Sequence, residues 1–156
     1  MLIKRSEEDE FDALVVRVDF SDDAAWTEVV GLLEIPWGDD EFDSSNQLVD
    51  DPAFTGASPD DVLAAVEEEH KPAVVFLADA ETMRGAHPLL AVSTLTREDA
   101  EDEDDYEEEM SHGREFRLVP GAVSEMHTNL EIANMDFTDF SGSASGDSER
   151  IHRGFC

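Results

Sequence analysis

Apolar and polar residues alternate between two periods along this chain, and the switches mark its elements. Residues 13–20 (ALVVRVDF) form a β-branched run of strand length. Ser21, Asp22 and Asp23 then supply a helix cap and first-turn acids, and Trp26, Val29, Val30 and Leu33 recur at helical spacing. The pattern predicts a helix over 22–33, closed by Pro36 and Gly38. Gln47 to Val49 is read as a short strand, and Phe54-Thr55-Gly56 as a turn. Ser58-Pro59-Asp60-Asp61 carries a cap, a first-position proline and first-turn acids. It predicts a second helix, with Val62, Leu63 and Val66 as its stripe, ending near His70.

Residues 73–78 (AVVFLA) are continuously apolar, as in a central strand buried on both faces. A short turn or helix at 80–84 follows. Leu89 to Leu95 and Glu115 to Val119 are read as strands pairing in a hairpin across an acidic loop. Pro120-Gly121 opens a last helical region, with Val123, Met126 and Leu130 on its buried side. Asn134 or Asp136 is the cap of a final short helix carrying Phe137 and Phe140. The serine- and glycine-rich stretch after Phe140 is read as a linker. This order of elements favours an α/β three-layer sandwich around a mixed sheet. The alternative is an α+β sheet with helices on one face. The expected organisation is an acidic disordered tail at 1–12, one domain at 13–140 with an insertion at 98–112, and a flexible tail at 141–156.

Charge changes this picture most. Forty acidic residues against ten basic ones give 156 residues a formal charge of −30. Nucleic acids and anionic membranes are repelled, and basic proteins and cations are attracted. Residues 98–109 hold ten of the acids and residues 7–12 another five, so both blocks are expected to be disordered or solvated. No apolar run is long enough to span a bilayer, and no secretory signal opens the chain as given. The one cysteine, Cys156, permits no internal disulfide, which fits a reducing cytoplasm. Scarce lysine (Lys4 and Lys71) fits a high-GC genome or adaptation to high salt.

Four segments carry a family resemblance: Val15 to Trp26 (VVRVDFSDDAAW), Val49 to Phe54 (VDDPAF), His87 to Leu90 (HPLL) and Asn129 to Phe140 (NLEIANMDFTDF). Together they resemble an uncharacterised family of small acidic, mainly actinobacterial proteins, over roughly residues 13–140. The resemblance implies a bacterial cytoplasmic origin and one domain, with the acidic run as an addition to the family hairpin. It implies no activity and no catalytic residues.

Candidate chemistry is sparse. Asp19 and Asp79 end two predicted strands; were these parallel neighbours, both would stand at the sheet edge that binds ligands in open α/β folds. With Asp22 they are the candidate ligands for Mg²⁺ or Ca²⁺ in a cation-dependent enzyme; helix capping accounts for the same acids without a metal. No resident cofactor is expected. His127 and Asn129 are candidates for a polar cleft or an exposed helix face. Trp37 and Phe42 flank Asp39, Asp40 and Glu41, and aromatics beside acids could anchor a basic partner. No nucleophile elbow and no phosphate-binding loop is present. The leading expectation is a non-enzymatic acidic protein that binds a basic protein, of immunity or inhibitor type. The enzyme is its alternative, and a domain whose charge serves only solubility in salt is a third.

Overall fold

The computed structural model describes residues 3–10, 12–35, 46–85, 87–132 and 134–153. Its strands are β1 (Ala13–Arg17), β2 (Asn46–Val49), β3 (Val74–Ala78), β4 (Leu89–Ser93), β5 (Glu115–Leu118) and β6 (Ile151–His152). Its helices are α1 (Asp23–Leu33), α2 (Pro59–Ala65), α3 (Glu103–Glu109), α4 (Val123–Glu131) and α5 (Phe137–Ser145). The strands form one mixed sheet in the order β2-β1-β3-β4-β5-β6. β1 pairs parallel with β2 and β3, β4 runs antiparallel to both its neighbours, and β6 is parallel to β5.

Alternation in β1 shows how the layers form. Ala13 and Val15 enter a core with Trp26 and Val29 of α1, Met126 of α4, and Phe137 and Phe140 of α5. Leu14 and Val16 enter the opposite core with Val62 of α2, Phe54 and Ile3. β1 and β3 are buried along their whole length, so both faces are covered, as the three-layer expectation requires. From β1 the chain reaches β2 through α1 on one face, then returns to β3 through α2 on the other. The strand order therefore switches direction between β1 and β3.

The α2 start is as the sequence predicts: Ser58 accepts from the Asp61 N–H at 3.2 Å, and Asp61 accepts from the Ser58 N–H at 3.1 Å. Ser58→Ala should cost about 1 kcal/mol, read as a lower urea midpoint. The α2 end is not as predicted. The helix stops at Ala65, because Val66 turns extended and bridges Ile3. The Ile3 N–H donates to Ala65 O at 2.7 Å, and the Glu67 N–H donates to Ile3 O at 3.1 Å. Burying Val66 and Ile3 together replaces a further helical turn.

Three further expectations are corrected. The N-terminal residues 3–10 are docked: Ile3 is buried, and Arg5 donates to Gln47 Oε1 at 2.8 Å and to the Asp9 and Asp12 carbonyls. The acidic block is exposed but contains α3, whose Asp102 cap accepts from the Asp105 N–H at 2.7 Å. Acids at Glu103, Asp104 and Asp105 sit at the favourable end of the helix dipole. Beyond Phe140 the chain continues as helix to Ser145, because Phe137, Phe140, Ser141 and Ala144 make a buried stripe. β6 then adds a sixth strand; His152 is fully buried, with its Nδ1 2.9 Å from Ser143 Oγ.

Candidate functional site

Five of the six strands point their carboxyl ends at one edge, and the predicted pair Asp19 and Asp79 stands there on neighbouring parallel strands. Arginines that the sequence reading passed over meet these acids. Arg17 closes β1 with 5 % of its side chain exposed. It donates to the Asp19 carbonyl at 3.0 Å, to Asp23 at 2.7 Å and to Asp50 at 3.2 Å. Its guanidinium also lies 4.4 Å from the Phe20 ring centre and 5.3 Å from that of Trp26. In β5, Phe116 and Leu118 face the core that holds α1, so Arg117 projects to the other side of the sheet. Both of its Nη groups donate to Asp79 at 2.8 Å, and Nε meets Glu81 at 2.8 Å.

These bonds set the protonation of the acids. Burial alone would raise the Asp79 carboxyl, but the Arg117 bonds and charge, with Thr82, hold it below its ordinary range. The Ser21 hydroxyl and N–H hold Asp19 low in the same way. The candidate metal ligands are thus occupied by protein donors: Asp22 caps α1 through the Ala25 N–H at 2.9 Å, Asp19 accepts from Ser21, and Asp79 from Arg117 and Thr82. Among the described residues no three His, Cys, Asp or Glu side chains are placed to share a metal ion.

Neither His127 nor Asn129 lines any of the three main clefts of the described residues. His127 is fully buried; its Nε2–H donates to the Glu10 carbonyl at 2.7 Å, and its Nδ1 has no partner among the described residues. Burial pushes its pKa down to about 4. Asn129 donates to Glu125 O at 2.7 Å and accepts from Asn134 at 2.9 Å. Trp37, Asp39, Asp40, Glu41 and Phe42 lie outside the described residues.

The opposite edge, where β3 begins and β4 ends, has a different balance. A cleft of about 490 Å³ opens there between α3, the start of β3 and the α4–α5 turn. Pro72, Leu130, Met135 and Phe137 give it an apolar lining, and Asp99, Asp105, Glu109, Glu131 and Asp136 ring it. Lys71 is the single cation among its lining residues, and its Nζ is 3.3 Å from Glu68 and 3.7 Å from Asp99. Burial, then the charges of Asp136, Asp105 and Asp139, push Glu109 up to about 7. Burial also raises Glu131. Neither acid stands out in the sequence: Glu109 ends a long acidic run, and Glu131 lies between Leu130 and Ile132 on a helix marked by its apolar residues.

The doubly covered sheet, its paired arginines and this acidic cleft define an α/β domain. A family model described as "Domain of unknown function (DUF6924)" matches residues 12–155, and the chain belongs to that family. The match includes both the acidic block and the segment after Phe140. Neither a curated protein nor a solved structure matches the chain. No helix among the described residues is long and apolar enough to cross a membrane.

Proposed function

We propose that this is a non-catalytic acidic protein whose work is to bind a basic protein, in the manner of an immunity protein or inhibitor. One observation carries the reading: seven of the protein's ten lysines and arginines are already engaged. Among the described residues Arg17, Lys71, Arg97, Arg114, Arg117 and Arg153 are each in ion pairs with its carboxylates. Arg5 is turned onto main-chain carbonyls. The forty acids outnumber the chain's ten lysines and arginines fourfold, so the surface offered to a partner is strongly negative. Such a field raises encounter rates with a basic surface and rejects nucleic acid. The commitment of Asp19 and Asp79 to protein donors supports binding over cation-dependent catalysis. Composition and the family resemblance support a bacterial, actinobacterial source and a cytoplasmic setting.

Affinity capture from the source cells at low ionic strength should return one stoichiometric protein with a basic surface. Raising salt from about 0.1 M to about 1 M, which shortens the Debye length from about 10 Å to about 3 Å, should release it. Capture of no stoichiometric basic protein, or a complex indifferent to salt, would overturn the reading.

A further inference from the structure

We propose that the cleft at the start of β3 seats an extended basic, amphipathic segment of that partner, arginine or lysine heads against its acids and apolar side chains against its floor. The inference rests on the binding reading above and adds the place and the occupant.

Shape comes first. A second cleft of about 470 Å³ shares Lys71 and Glu131 with the first and runs on to Arg5, Glu7 and Glu10. The two clefts adjoin at these shared residues, a groove that offers room for a stretch of extended chain rather than a single small ligand. Its lining then argues for an amphipathic occupant. Leu130 and Met135 are half-buried, with Phe137 buried behind them. They offer apolar area beside carboxylates, which matches a long aliphatic stem ending in a cation. A bare metal ion would gain nothing from that floor, and no three ligating side chains converge here among the described residues.

Charge complementarity fixes the sign of the occupant. Glu109 and Glu131 are partly desolvated; Glu109 is faced only by other carboxylates, whereas Glu131 accepts from the Ala73 N–H at 3.4 Å and feels the opposing charges of Arg5 and Glu10. Asp105 and Glu108 face Glu109 from its own helix, and Asp136 and Asp139 face it across the groove from α5. Glu109 therefore holds a proton more readily than an ordinary carboxyl, the proton standing in for a missing cation. Lys71 does not fill that place, because Glu68 and Asp99 already hold it. A guanidinium or ammonium arriving beside Glu109 would favour the carboxylate and expel the proton.

Titration calorimetry of the whole chain with a peptide of alternating arginine and leucine tests this, with an alternating glutamine and leucine peptide as control. The basic peptide is expected to bind one to one and the control not to bind. Glu109→Gln/Glu131→Gln should weaken binding at least about tenfold. Glu28→Gln/Glu34→Gln, which removes the same charge on and just after α1, should change it less than about twofold. Binding near pH 7 should release protons, seen as an apparent enthalpy that differs between phosphate and Tris buffers, and Glu109→Gln should abolish that difference. No binding of the basic peptide, equal weakening by both double variants, or no proton release would overturn the groove. If a basic partner is captured from cells yet the groove variant holds it as tightly as the unaltered chain, the groove fails while the binding reading stands.

Discussion

Asp79→Ala is expected to destabilise the fold by about 2–3 kcal/mol, measured by urea unfolding at neutral pH. The magnitude follows from where the pair sits. Exposed ion pairs contribute about 0–1 kcal/mol, and breaking a fully buried pair costs about 3–5 kcal/mol. The Asp79 and Arg117 side chains are 28 % and 23 % exposed, between those limits. The substitution strands the Arg117 guanidinium with Glu81 alone and removes the acceptor of the Thr82 N–H. Asp79→Asn, which keeps an oxygen for Thr82, should cost less. Exchanging the pair for Asp79→Leu/Arg117→Met should recover most of the loss, because no charge is then left unpaired. A double-mutant cycle that finds no coupling would show the pair to be a surface contact only. The sign with pH is fixed by the lowered Asp79 carboxyl: its contribution is present above its ordinary value of 3.8 and is lost as pH falls through the lower folded value.

This pair also marks the limit of what the sequence discloses. The runs at 13–20 and 73–78 announce buried strands, and their final acids could be placed at one edge once the strands were taken as parallel neighbours. The structure pairs β1 with β3 in that way. Arg117 could be assigned to the half-exposed side of its strand by alternation. Its arrival beside Asp79 depends on β4 lying between β3 and β5, a tertiary order that periodicity does not encode. Composition misled at α3 and α5 for different reasons. Ten acids in twelve residues read as a repelling coil, yet Asp102 caps a helix with three acids in its first turn at the positive end of the dipole, and Arg97 pairs with Glu103 while lying 4.5 Å from the Tyr106 ring centre. The Ser-Gly-Ser-Ala-Ser stretch has the composition of a linker. It is helical because Ala144 continues the stripe of Phe137 and Phe140. Its small residues let neighbours come close: a Cβ at Gly142 would stand 3.4 Å from the His112 ring.

His127 was illegible for a similar reason, since the group that buries it comes from Glu10, 117 residues away. That burial is expected to make the fold sensitive to mild acid. The imidazole holds a pKa of about 4 in the folded protein, against an ordinary value of 6.5. A base whose folded pKa is depressed gives its full stability above 6.5 and loses it as pH falls toward 4, because the unfolded chain takes up the proton first. The difference corresponds to about 3 kcal/mol lost across that window. His152, also lowered by burial, acts in the same direction. Glu109 and Glu131 act against them: their folded pKa values are raised, Glu109 to about 7, so the folded state gains stability as pH falls through these raised values toward the ordinary 4.5. Glu109 is only partly buried, so solvent screens part of its share. The unaltered chain should therefore lose stability gently between pH 6.5 and 4. His127→Gln, which keeps a donor for Glu10 O, should flatten that loss by most of the 3 kcal/mol and leave the His152 share. Glu109→Gln should steepen it, because the compensating carboxyl is gone. Urea midpoints taken across this range separate the two, and a His127→Gln profile parallel to that of the unaltered chain would show that the imidazole reaches water and is not charged against burial.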